Sequence, residues 1–259
     1  MKLVIVPARA GATWVKLGLR TFFRQPLAFT GLFLIFVALV SLLSAIPWIG
    51  NILGLALMPP ITLGFFVASR QAAQGRVPLP TVLLSAFRSG PQHARNMAVL
   101  GALYAVGVLL ALAVSASADG GTFARMYLLG GDIDMATMQS PEFELAALLA
   151  MGVYMPVSMM FWHAPALVQW HAVSPVKSLF FSLMGCWRNI RAFTVYTVVW
   201  FGVFMGVALL VAFVGMLLGS EDGVGVLLFP ALLVTAAAFF ASILFSFEAC
   251  FDATEVVLA

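Results

Sequence analysis

A polytopic, all-α membrane helix bundle with six transmembrane helices is the fold class this 259-residue sequence predicts, on three observations. Apolar residues make up 63% of the chain and charged residues 9%, and the mean hydropathy is +1.08. Water-soluble domains carry roughly 45–50% apolar and about 25% charged residues, so this chain lacks the polar surface that a water-soluble fold needs. Apolar runs long enough to cross ~30 Å of hydrocarbon at about 1.5 Å per residue recur along it. The few charges sort by sign once those runs are counted as crossings.

The opening "MKLVIVPARAG" does not read as a cleavable signal peptide. Pro7 cuts the apolar stretch Leu3–Val6, and positive charge follows where a cleavage site would stand. The N-terminus is expected to stay attached and cytoplasmic. Residues 8–24 then read as an amphipathic helix. At about 100° per residue, Arg9, Lys16, Arg20 and Arg24 share an arc of about 80°, with Trp14, Gly18 and Phe22 on the far side. That pattern predicts a helix lying in the membrane interface, cations toward headgroups and aromatics toward acyl chains.

Span 1 is about Pro26–Trp48 and span 2 about Ile49–Ser69, interrupted by Pro59 and Pro60. One helix through both would overshoot any bilayer, so "PWIGN", with Pro47 and Gly50 as breakers and Trp48 as an interfacial anchor, is read as a tight hairpin. Span 3 is about Met97–Ser117, and span 4 about Phe143–Trp162 with Pro156 inside it. Between them, Ala118–Pro141 reads as a flexible solvated loop in which Asp132 and Asp134 would hold a cation only weakly. Span 5 is about Ala192–Leu218, and span 6 about Val224–Phe247, carrying Pro230.

Six crossings put Lys2, Arg9, Lys16, Arg20, Arg24, Arg70, Arg76, Arg88, Arg95, Lys177, Arg188 and Arg191 on one side. Arg125 alone among the 13 basic residues falls on the other, together with Asp119, Asp132, Asp134, Glu142, Glu144, Glu221 and Asp222. A missed or invented span would scramble this segregation. The excess of cations marks the cytoplasmic side. The expected location is the bacterial inner membrane, with both termini cytoplasmic.

The chain also repeats itself. "RQPLAFT" (Arg24–Thr30) and "RNIRAFT" (Arg188–Thr194) both follow an aromatic residue and lead into a span. "LMPPIT" (Leu57–Thr62) and "YMPVSM" (Tyr154–Met159) share Met-Pro with a hydroxyl residue shortly after, and at the same offset Pro78 matches Pro175 and Ser85 matches Ser182. A single integral membrane domain, 1–259, is expected, built as three helix-pair units (about 8–72, 78–170 and 174–250), each preceded by a basic interfacial helix. The Pro-bearing "HAPALVQW" (His163–Trp170) followed by "SPVKSLFFSLMGCWRN" (Ser174–Asn189) resembles a family of six-span proteobacterial inner-membrane proteins, similar to the membrane domain attached to some glycerophosphodiester phosphodiesterases. That resemblance implies a membrane location and carries over no catalytic residue.

Ionisable groups inside hydrocarbon are costly and mark function where they occur. Between their ends all six spans lack Asp, Glu, Lys, Arg and His, which argues against a proton-coupled pump or a voltage sensor. Glu248, Asp252 and Glu255 recur at helical spacing after span 6, but three carboxylates fall short of a hard-cation cage. His93, His163 and His171 form no HxxxH or HExxH pair, Cys186 and Cys250 form no CxxC, and no P-loop or Gly-x-Ser-x-Gly occurs. Gly202 with Gly206, and Gly215 with Gly219, make small-residue faces expected to pack within the chain.

No enzyme activity, cofactor, metal or nucleic-acid partner is expected. Two functions stay open. In the first, a lipid-associated or partner-binding protein holds anionic headgroups on its cytoplasmic side with Arg9, Lys16, Arg20, Arg24, Arg188 and Arg191. In the second, a small transporter or channel carries a midplane cavity at its proline kinks, lined by Pro59, Pro60, Thr62, Pro156 and Ser158, where helix carbonyls are freed.

Overall fold

The computed structural model describes residues 2–47, 49–130, 133–217 and 221–251. Among them are twelve α-helices, one 3-10 helix and no strand. Six helices are long and apolar enough to cross a membrane. They are α2 (Pro26–Ser44), α3 (Gly50–Ala73), α5 (Pro91–Asp119), α8 (Pro141–Trp162), α11 (Ile190–Leu217) and α12 (Glu221–Phe251). Each matches one expected span. Pro59, Pro60, Pro156 and Pro230 all lie inside their helices rather than ending them.

The remaining helices are short. Ala10–Arg24 is α1, and a 3-10 helix over Pro80–Leu84 runs into α4 (Ser85–Arg88). After α5 come α6 (Thr122–Leu129) and α7 (Met135–Met138). Residues 118–141 are therefore not the featureless loop the sequence suggested. Asp119 accepts from the N–H groups of Gly121 (2.8 Å) and Phe123 (2.6 Å) to start α6, and Asp134 accepts from Thr137 N–H to cap α7. Asp132 lies outside the described residues, as do Trp48, Gly219, Asp252 and Glu255. Finally, α9 (Ala164–His171) follows α8 across a break at His163, and α10 (Pro175–Arg188) precedes α11.

The helices group into two compact units. One comprises Met1–Ala38, Ile61–Ala86 and Met184–Ala259, the other Leu39–Pro60 and Phe87–Leu183.

In the first unit α1 packs against α11 and α12 at backbone distance. A Cβ on Gly11 would land on the Ala192 carbonyl, and one on Gly18 would land on Ser242. Trp14 is 2% exposed and stacks near Phe193 and Tyr196, ring centroids 5.2 and 6.0 Å away. The Trp14, Val15, Gly18 and Phe22 face of α1 is thus covered by protein, whereas the sequence had aimed its aromatics at acyl chains. Phe33, Phe36, Phe65 and Phe240 form an aromatic cluster between α2, α3 and α12. Its polar counterpart is buried Ser242. The hydroxyl gives its proton to Phe239 O (2.7 Å), so Tyr196 O–H (2.6 Å) and Trp200 Nε1–H (3.2 Å) donate to it.

Asn189 holds the junction of α10 and α11. It is buried; Nδ2 donates to the carbonyls of Val4 and Gly185 (both 3.0 Å), and Oδ1 accepts from Val6 N–H (2.8 Å). With Val4 N–H donating to Cys250 O (2.9 Å), it ties the N-terminal segment to the end of α12.

In the second unit α5 and α8 pair. Gly101 lies against Ala56 of α3, and Gly107 against Val157. The α8–α9 break has a specific cause. The hydroxyl of Ser182 accepts from His163 N–H (2.9 Å) and donates to Met159 O (2.7 Å), the two groups that an unbroken helix would join directly. One side chain bonds both backbone groups across the break.

Candidate functional site

The sequence nominated two sets of residues. Of the cationic set, Arg9, at the cap of α1, and Lys16, Arg20 and Arg24, on its face opposite the buried one, are all exposed. The Arg24 guanidinium also reaches Ala73 O at 3.5 Å, and Arg188 and Arg191, flanking Asn189, are exposed. Arg70, in the last turn of α3, pairs with Glu248 of α12 at 3.3 Å. Arg95 and Asn96 lie within α5 rather than before it, and the helix preceding that span is reduced to one 3-10 stretch and one turn of α-helix.

Of the proline set, Pro59 and Pro60 are buried and Thr62 is half-buried. Pro156 is exposed, and the Ser158 hydroxyl bonds back to Met155 O at 2.7 Å. Gly202 and Gly206 were expected to pack inside the chain. Both are exposed, and a Cβ on either would meet nothing within 4 Å.

A cleft the sequence did not signal opens in the second unit, between α5, α6 and α8, with a volume of about 670 Å³. Val108, Ala111 and Leu112 of α5 form one wall. Ala147, Leu148, Ala150, Met151 and Tyr154 of α8 form another, and Phe123 and Tyr127 of α6 close the side. Glu144, in the first turn of α8, stands among them. Two alanines on α8 facing one on α5 leave the space. Phe123 is steadied edge-on by buried Phe143 (5.6 Å), and the hydroxyls of Tyr154 and Tyr104 meet at 3.0 Å. Burial pushes the Tyr127 hydroxyl above its ordinary range, and the nearby Tyr154 adds to the shift. None of Pro59, Pro60, Thr62, Pro156 or Ser158 lines this cleft. Among the described residues no group of His, Cys, Asp and Glu could hold a metal ion.

Six apolar helices of crossing length, with charged residues on the short helices and helix ends, define a multi-pass membrane protein. The chain is 41% identical over 258 residues to a protein of Burkholderia thailandensis described as a probable inner membrane protein, spanning 98% of this chain and 96% of the relative. It belongs to that family of inner membrane proteins. No family model matches the sequence, and no solved structure matches it.

Proposed function

We propose that the chain is a non-enzymatic, lipid-associated or partner-binding inner membrane protein with both termini in the cytoplasm, and that α1 holds anionic headgroups there. One observation carries this. The apolar face of α1 is locked against α11 and α12 through Gly11 and Gly18, so Arg9, Lys16, Arg20 and Arg24 are presented outward together on a fixed helix. Each such cation contributes about 1 kcal/mol of attraction to an anionic leaflet. Arg188 and Arg191 extend the same cationic side.

The three-unit reading belongs here too. The backbone bonds at the two "AFT" junctions correspond: Gln25 N–H to Phe22 O with Phe29 N–H to Gln25 O, and Asn189 N–H to Cys186 O with Phe193 N–H to Asn189 O. This supports common descent of the first and third units. The resemblance of His163–Asn189 to the membrane domain attached to some glycerophosphodiester phosphodiesterases is part of the same proposal.

The test is a quadruple charge reversal, Arg9→Glu, Lys16→Glu, Arg20→Glu and Arg24→Glu, read by the anionic phospholipid that copurifies in mild detergent. A several-fold loss is expected; an unchanged lipid complement removes the reading. A transporter or channel is the second reading. It rests on the α5–α6–α8 cleft alone, which none of the proline set lines. Uptake by reconstituted vesicles separates the two.

A further inference from the structure

The α5–α6–α8 cleft has a chemistry of its own. Its volume of about 670 Å³ falls within the ~300–1,000 Å³ of small-molecule sites. Glu144 and Tyr154 are ten residues apart on α8, so the lined stretch is about 15 Å long at about 1.5 Å per residue. That length suits an alkyl chain. Among the described lining residues there is one carboxylate and no basic side chain. Three of the others are aromatic: Phe123, Tyr127 and Tyr154. Phe123 packs on Phe143, next to Glu144, while Tyr127 neighbours Tyr154 at the other end. A carboxylate with an aromatic face near it attracts an ammonium, through charge and through the negative ring face. The same composition repels an anion.

We propose that this cleft binds a lipophilic ammonium, its cation held by Glu144 with Phe123 near it and its alkyl chain lying against Ala111, Ala147 and Met151 toward Tyr127 and Tyr154. The amine belongs either to a free amphiphile or to the headgroup of an aminophospholipid, and the chemistry that recognises it is shared. The site is independent of the α1 cations, which would bind charge of the opposite sign.

The experiment uses the full chain in an uncharged detergent and three probes with one tail: dodecyltrimethylammonium, dodecanol and dodecyl sulfate. Saturable binding of the cation is expected, with a preference of about ten-fold over the alcohol, the scale of a partly desolvated cation–aromatic contact. Glu144→Gln should remove most of that preference, and Ala147→Phe should abolish binding by filling the cleft. Glu144 is exposed, so its variant keeps the test decisive even where the filled cleft disturbs folding. Equal binding of the three probes, or a Glu144→Gln variant that binds the cation as the parent does, overturns the proposal. In bilayer discs, competition by phosphatidylethanolamine against a phosphatidylglycerol background assigns the site to a lipid headgroup. Undiminished probe binding in both assigns it to a free amine.

Discussion

The α1 junction with α11 and α12 and the α5–α8 pair are both helix contacts built on small residues, yet one is solid and the other opens. At the first, Gly11 and Gly18 let backbones touch, and the polar groups nearby are spent on one another: Ser242 takes Tyr196 and Trp200, and Asn189 takes Val4, Val6 and Gly185. At the second, Gly107 and Val157 make the contact, but toward the α6 end Ala111, Ala147 and Ala150 face a gap that no side chain fills. Hydrocarbon supplies no hydrophobic drive between helices, so close packing and hydrogen bonds decide where they seal. Small residues at backbone contact close a junction; small residues held apart leave a site.

The largest expected effect breaks the sealed side. Gly18→Val should drive α1 off Ser242 and cost about 3 kcal/mol or more, from overpacking together with the loss of a buried hydrogen-bond node. Gly152→Ala, where an added Cβ meets nothing within 4 Å, should instead be tolerated and stabilise α8 by about 0.5–1 kcal/mol. Unfolding of both variants in mixed micelles checks the contrast; equal stabilities would mean that α1 is not packed as described.

Next come the side chains that satisfy backbone groups. Asn189→Ala removes the side-chain partner of Val6 N–H and Val4 O in the first unit, and Ser182→Ala removes the hydroxyl that bonds His163 N–H and Met159 O in the second. Each should cost about 1–3 kcal/mol. Hydrogen exchange should quicken at Val6 in one variant and at His163 in the other, while the unaltered unit keeps its protection.

The smallest effect is local. The Thr137 backbone and hydroxyl hold the Asp134 carboxyl below its ordinary range, so its stabilisation of α7 is present above the usual carboxylate pKa and fades as pH falls through the lowered value. The protection of the Thr137 amide, its exchange rate measured against the unstructured rate at the same pH, should therefore fall only in acid, while protection in the rest of the bundle is unchanged.

The six spans were legible because twenty-odd apolar residues between charged borders admit few other readings in a bilayer. α2 and α8, for example, begin at or within two residues of the expected positions. The short helices were not legible. α6 is started by the Asp119 carboxylate across two glycines, a capping geometry that a loop composition hides. Hydropathy also could not say that Trp14 meets Tyr196 rather than lipid, because both surroundings are apolar. The exposed cations of α1 were visible in its periodicity. The cleft was not, since it arises where helices far apart in sequence fail to touch.

The placement of charge is tested most directly by labelling single cysteines with a membrane-impermeant maleimide in intact cells. Cys186 and Cys250 are buried, and burial pushes the Cys186 thiol up, so background reaction is slow. Arg125→Cys should label from outside, whereas Arg9→Cys and Arg188→Cys should label only after the membrane is opened. Labelling of Arg9→Cys or Arg188→Cys in intact cells would contradict the proposal that the cationic side of the six spans faces the cytoplasm.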